Sequence, residues 1–251
     1  MERTGPLRDR LALRALRLGV GDVVWEDVPS LKRSMCGAAA AGAVLVVVGV
    51  ASAAPGDPQK HLKRADQVYA KSILLRMSDL PAGRWKVEPT SFSEANPDCV
   101  VKRYSLSALT ATGEAGFTYT QRSRAIESDA RVFLTAAQAG RAFSILSSVG
   151  LGRCLGSAFA AEISATSSGV SAKVATVEPL SFTGLGAPAR GVRVSLRLHG
   201  SASVASLHYV FMSVRHGRAV ATFGLVRDNR AWPRSVVRPV AAVTASRLAK
   251  R

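Results

Sequence analysis

Apolar and polar positions alternate strictly near the C-terminal third of the chain. Val192, Val194, Leu196 and Leu198 fall on one side, and Arg193, Ser195, Arg197 and His199 on the other. A period of two is that of a strand with one wet face, which antiparallel sheets allow. Residues 205–215 and 218–226 form two apolar runs around His216-Gly217. A two-residue turn of the commonest hairpin kind needs positive φ at both positions; glycine adopts it freely and histidine tolerates it. The hairpin is apolar on both sides, with Leu207, Tyr209 and Phe211 opposite Val210, Met212 and Val214. That pattern predicts a place in mid-sheet with a helix packed on one side. Residues 114–121 put Phe117 and Tyr119 on one face. Ala130, Val132 and Leu134 alternate with Arg131 and Phe133. Both stretches read as half-buried strands. Trp85 and Val87 start a short extended segment that Pro89 ends.

Helical periodicity appears in four places. Lys60 to Leu75 carries an imperfect apolar face of Val68, Ile73 and Leu75 with Ala65, Tyr69 and Ser72, broken by Asp79-Leu80-Pro81-Ala82-Gly83. Thr135 suits an N-cap. After it Ala139, Ala142, Phe143 and Leu146 recur at i, i+3, i+4 and i+7, and Gly150 and Gly152 mark the end. One or two further helical turns carry Cys154, Leu155, Phe159 and Ile163. A last helix follows Trp232-Pro233, and Pro239 kinks or restarts it. Together these elements predict one α+β domain over residues 60–251, an antiparallel sheet with helices packed mainly on one face.

The N-terminal part differs in kind. Lys32-Arg33-Ser34-Met35-Cys36 precedes an uncharged Gly/Ala/Val run that closes on Ala51-Ser52-Ala53-Ala54. Cations, an apolar run and small residues make the layout of an export signal. Residues 32–54 are therefore read as a cleaved signal peptide or a retained membrane anchor. The stretch from Met35 to Ala54 is long enough to span a bilayer, and Lys32 and Arg33 would hold its N-terminal side in the cytoplasm. The small-residue end favours cleavage. Residues 1–31 form an extension that fits export poorly, as a start site placed too early would produce. Residues 55–59, with Pro55-Gly56-Asp57-Pro58, read as a linker.

Charge and cysteine content narrow the partners. The chain of 251 residues has a net charge of +17. Its first 54 residues hold 7 Lys/Arg and 5 Asp/Glu, leaving 27 and 12, a net +15, in the exported part. That sign suits an anionic envelope polymer, a lipid head group or a small anionic ligand, although scattered surface arginine is the simpler account of it. Membrane contact is expected only through residues 35–54, if they are not cleaved. Cys36 lies in the signal segment without a lipobox before it, so Cys99 and Cys154 remain as an even pair. In an oxidising compartment such a pair forms a disulfide. Arg230, Arg234 and Arg238 are spaced by four, which on a helix gives one basic stripe able to contact an anion. Nucleic acid is disfavoured, because the domain is exported and aromatic residues make up only 6%.

No catalytic or cofactor pattern survives. Gly150-Leu151-Gly152 and Gly184-Leu185-Gly186 lack the third glycine of a dinucleotide fingerprint and the Gly-Lys-Ser/Thr of a phosphate loop, so helix-end and turn roles suit them. His61, His199, His208 and His216 show no metal-ligand spacing, and His199 and His208 would meet only across one hairpin register. Glu127 and Asp129 share one side of a strand, but two carboxylates alone make no acid–base pair. No catalytic residue, metal ligand or cofactor is therefore assigned.

Asp79-Leu80-Pro81-Ala82-Gly83 before Trp85, Leu180-Ser181-Phe182-Thr183-Gly184-Leu185-Gly186 before an alternating strand, and Val214-Arg215-His216-Gly217-Arg218 resemble segments of exported actinobacterial proteins of unassigned function. More distantly, the order of elements over residues 60–250 resembles the extracellular sensor domains of mycobacterial Ser/Thr kinases and the PsbP-like lipoproteins. Those families imply a curved antiparallel sheet flanked by helices, with a ligand-binding cleft. The chain departs from them by its single cysteine pair and by Arg84 inserted before Trp85. The expected function is a non-enzymatic, sensor-like exported domain that binds a small ligand or an envelope component. The alternative is a cell-envelope hydrolase. A cleft lined by apolar side chains and Arg favours the first; a buried His, Ser or acid cluster in hydrogen-bond reach favours the second.

Overall fold

A computed structural model of the chain describes residues 63–88, 108–119, 124–200 and 204–250. The extension 1–31, the segment 32–54, the linker 55–59 and Cys99 lie outside the described residues. In chain order the elements are α1 (Arg64–Ile73), a 3₁₀ turn (Met77–Asp79), β1 (Trp85–Glu88), β2 (Leu109–Tyr119), β3 (Arg124–Phe133), α2 (Ala136–Leu146), α3 (Val149–Thr166), β4 (Ser171–Phe182), β5 (Ala189–His199), β6 (Val204–His216), β7 (Ala219–Asp228) and α4 (Arg234–Leu248). The strands form one antiparallel sheet in the order β1-β2-β3-β7-β6-β5-β4. The fold is α+β, as the patterning predicts.

The helices divide between the two faces of the sheet rather than packing mainly on one. Val210, Met212 and Val214 of β6 join the cluster that holds Ala70 and Ile73 of α1 and Val237, Val240 and Ala241 of α4. Leu207 and Tyr209 of the same strand join Ala160 and Ile163 of α3 on the other side. Val220, Phe133 and Leu109 lie under α2 with Ala139, Ala142 and Phe143. A central strand that is apolar on both sides must be covered on both. The same reason makes β3, between β2 and β7, buried on both faces for most of its length rather than half-buried. Leu134 falls beyond its end and is 36% exposed.

The tight turn between β6 and β7 sits one residue later than expected. His216 pairs with Ala219, so the loop is Gly217-Arg218, with φ of +52° at Gly217 alone. Those φ signs belong to a type II′ turn, which places glycine first. The turn carries Arg218 toward α1. There its guanidinium meets the buried Asp66 carboxylate at 3.1 Å and donates to the Phe133 carbonyl at 2.7 Å. The buried positions of α1 are therefore Asp66, Ala70 and Ile73, while Val68 is 65% exposed.

Thr135 caps α2 as predicted. Its Oγ1 accepts from the Gln138 N–H at 3.2 Å, and the Gln138 Oε1 accepts from the Thr135 N–H at 3.0 Å, a reciprocal capping box. The next helix is much longer than the one or two turns expected, running 18 residues from its Ser148 cap. Gly150 and Gly152 lie inside its first turn rather than at the end of α2. A Cβ on Gly152 would stand 2.7 Å from Val192 Cγ2, and one on Gly156 would stand 2.8 Å from Val194 Cγ1. These glycines bring the helix down onto β5 instead of stopping it. Gly184 and Gly186 are turn residues, each with φ of +71°. α4 runs unbroken through Pro239.

Candidate functional site

A groove of about 960 Å³ opens between α2 and the adjoining ends of β5 and β6. Its floor is apolar, with Ala108, Phe133 and Phe143, and its rim carries Arg141, Arg190 and Arg215. The sheet register sets two of these cations. Arg190 pairs with Ser213, so Arg215 is its diagonal neighbour on the same face, roughly 7–8 Å away along the backbone. The Arg215 N–H donates to the Pro188 carbonyl at 3.1 Å, which holds the start of β5 against the end of β6. Arg141 comes from α2, one residue after Gly140.

Gly140 shapes the position of Arg215. A Cβ there would stand 2.8 Å from Arg215 Nη1, so the bare helix backbone leaves room for the guanidinium to lie against it. None of the three guanidinium groups has a hydrogen-bond or ion-pair partner among the described residues, and no described carboxylate lines the groove. Arginine stays protonated at any physiological pH. A concave wall of fixed positive charge over an apolar floor concentrates the field on whatever enters. Such a site fits an anion with an apolar body, and its size lies within the usual range for small-molecule pockets.

Two of the three arginines singled out by spacing, Arg234 and Arg238, reach the end of β4. Arg230 precedes α4, so the three do not form one helical stripe. Arg234 donates to the Ser181 carbonyl at 2.8 Å and lies 5.1 Å over the Phe182 ring. Arg238 donates to the Thr183 carbonyl at 3.1 Å and stacks on the same ring at 5.9 Å. They fasten the start of α4 to the end of β4. Cys154, on α3, is disulfide-bonded, and Cys99, its expected partner, lies outside the described residues.

The histidines do not pair. His199 stands opposite Val204, whereas His208 stands opposite Ser195. His208 sits between two hydroxyls, with Ser195 Oγ 2.9 Å from Nδ1 and Ser206 Oγ 2.9 Å from Nε2. Partial burial, then the nearby Arg193 and Arg227 charges, lower its pKa from the ordinary value. This trio is half-buried, and both ring nitrogens face hydroxyls rather than a carboxylate. Asp129, on the opposite face of the sheet, ion-pairs with Arg131 at 3.0 Å. Its burial outweighs the opposing influence of Arg131 and of a hydrogen bond with Thr222, pushing its pKa up. Among the described residues, no three His, Cys, Asp or Glu side chains converge as a metal site. No single described helix is long and apolar enough to cross a membrane; α2 and α3 pass that test only as a pair bent by 54°.

No family model matches the chain, and no curated protein matches it. A solved structure, the extracellular domain of PknH from Mycobacterium tuberculosis, is similar at 11% identity, covering 70% of this chain and 93% of that chain with a TM-score of 0.35. A likeness at that level carries no argument about what this chain does.

Proposed function

We propose that the chain is an exported, non-enzymatic, sensor-like domain that binds a small amphipathic anion in the groove between α2 and the β5–β6 ends. The observation that carries this reading is the set of Arg141, Arg190 and Arg215, gathered from three elements and without partners among the described residues, over an apolar floor. Unpaired like charges brought together in a concavity repel one another, and an anion relieves that repulsion. The extracytoplasmic placement is supported by the signal-like layout of residues 32–54 and by the disulfide at Cys154, a bond at home in oxidising compartments.

The Ser195–His208–Ser206 contact gives the hydrolase reading its one specific foothold. Its chemistry works against it. A serine nucleophile needs the imidazole to take up a proton in the transition state. At His208 the resulting imidazolium would form beside Arg193 and Arg227, with no carboxylate on the ring to stabilise it. Thermal unfolding of the full chain tests the proposal. Octyl phosphate should raise the midpoint, whereas octanol and inorganic phosphate at equal concentration should raise it less. Equal effects of octyl phosphate and octanol would reject the anion site. Labelling of Ser195 or Ser206 by a fluorophosphonate would favour the hydrolase.

A further inference from the structure

On the opposite face of the sheet, beyond the start of α4, a second set of cations lies in register. Arg124 of β3 stands directly opposite Arg227 of β7, and Arg227 stands opposite His208 of β6. His208 faces Ser195 of β5, flanked along that strand by Arg193 and Arg197, and Arg197 stands directly opposite Lys173 of β4. Glu178, opposite Arg193 and 3.6 Å from it, is a carboxylate on this stretch. Like charges placed directly opposite across a ladder destabilise a sheet. Here that arrangement occurs twice, at Arg124/Arg227 and at Arg197/Lys173. Arg197 and Lys173 are exposed and have no ion-pair partner among the described residues.

Arg124, Arg227 and Arg193 are also held in place before anything binds. The buried Trp232 ring lies 5.9 Å below the Arg124 guanidinium and 5.4 Å below that of Arg227, and Arg193 donates to the Trp232 carbonyl at 3.1 Å. Cation–π contact with one indole orients the arginines, so less rotamer freedom is lost when an anion arrives. From β3 to β4 the surface crosses four inter-strand steps, roughly 19 Å at the usual strand spacing. It is a row of cations that runs across the sheet.

We propose that this face, from Arg124 and Arg227 through Arg193 to Arg197 and Lys173, is a docking surface for a linear phosphate-bearing polymer. Charge complementarity argues for a polyanion. The extent of the row argues for an elongated chain that meets several cations at once, not for a compact ligand. The surface lies across the sheet from the groove and does not depend on it.

Binding of long-chain polyphosphate to the full chain, measured across a range of salt, tests the proposal. Affinity should fall with salt. The Lys173→Gln/Arg197→Gln double variant should bind at least about tenfold more weakly at low salt, with a shallower salt dependence by about one per lost phosphate contact. Its unfolding midpoint should stay the same or rise, because a repulsive cross-strand pair is gone. Its thermal response to octyl phosphate should be unchanged, which separates this surface from the groove. Arg227→Gln should weaken polymer binding in the same direction. Wild-type polyphosphate affinity in both folded variants would overturn the proposal. So would tighter binding to phosphatidylglycerol vesicles than to the polymer, since that would make the face a membrane surface.

Discussion

Gly140→Ala separates stability from binding. An alanine Cβ at this position would stand 2.8 Å from Arg215 Nη1 and 3.9 Å from its Cζ, with no other atom within 4 Å outside the helix's own turn. The clash therefore falls on the far end of a flexible side chain. Within α2 the substitution should stabilise the helix by about 0.5–1 kcal/mol, a rise in melting midpoint of roughly 1–4 °C for a domain of this size. The Arg215 guanidinium must retreat by more than about half an ångström to reach ordinary contact. Losing one charge-assisted hydrogen bond to an anion in the groove costs about 1.5–3 kcal/mol, roughly 10–100-fold in affinity. Urea unfolding followed by fluorescence of the buried Trp85 and Trp232 reads the first effect, and calorimetric titration with octyl phosphate reads the second. In an Arg215→Gln background the alanine should cause no further loss, because both changes act on one contact. A destabilised Gly140→Ala protein, or one that binds as tightly as wild type, would refute the reasoning.

The remaining predictions concern the scaffold. Arg218→Met removes the guanidinium that meets Asp66 and the Phe133 carbonyl. The pair is buried on the Asp66 side and 27% exposed on the Arg218 side, so the loss should be about 2–3 kcal/mol in urea unfolding. A loss below about 0.5 kcal/mol, typical of surface pairs, would contradict the role given to it. His208 has a folded pKa below its ordinary 6.5. The unfolded chain therefore binds more protons just below that pH, and stability should fall as pH drops from about 6.5 through the lowered folded value. His208→Gln should flatten that part of the stability–pH curve, and an unchanged curve would count against the environment described. In exported protein, mass mapping without reductant should find Cys154 linked to Cys99 and neither thiol free; a free thiol at either position would remove the pairing.

Much of the scaffold was legible from local chemistry. The alternation of Val192 to Leu198, the doubly apolar β6 and the Thr135 cap each follow from a rule that acts within a few residues. What escaped depends on contacts between distant elements. Gly152 reads as a helix-ending residue until β5 is set against it, where Val192 leaves no space for a Cβ. Asp66 gives no local sign of its burial, because its partner, Arg218, comes from a turn far along the chain. The even spacing of Arg230, Arg234 and Arg238 drew attention to side chains of which two are held on carbonyls and on Phe182. The arginines of the groove had no such signal. Arg141 follows a glycine in a helix, Arg190 begins a strand and Arg215 ends another. Only the β5–β6 register joins them. The one sequence trace of the site was Gly140, a glycine in the middle of an otherwise regular helical pattern, where a close approach is the usual reason.

The groove can be located directly by backbone-amide chemical-shift mapping of the isotope-labelled full chain titrated with octyl phosphate. The largest shifts should fall at Gly140, Arg141, Arg190 and Arg215, with no comparable change at Arg193, Arg197 or Arg227. Shifts confined to that second set, or saturable binding that leaves the four groove residues unmoved, would contradict the account.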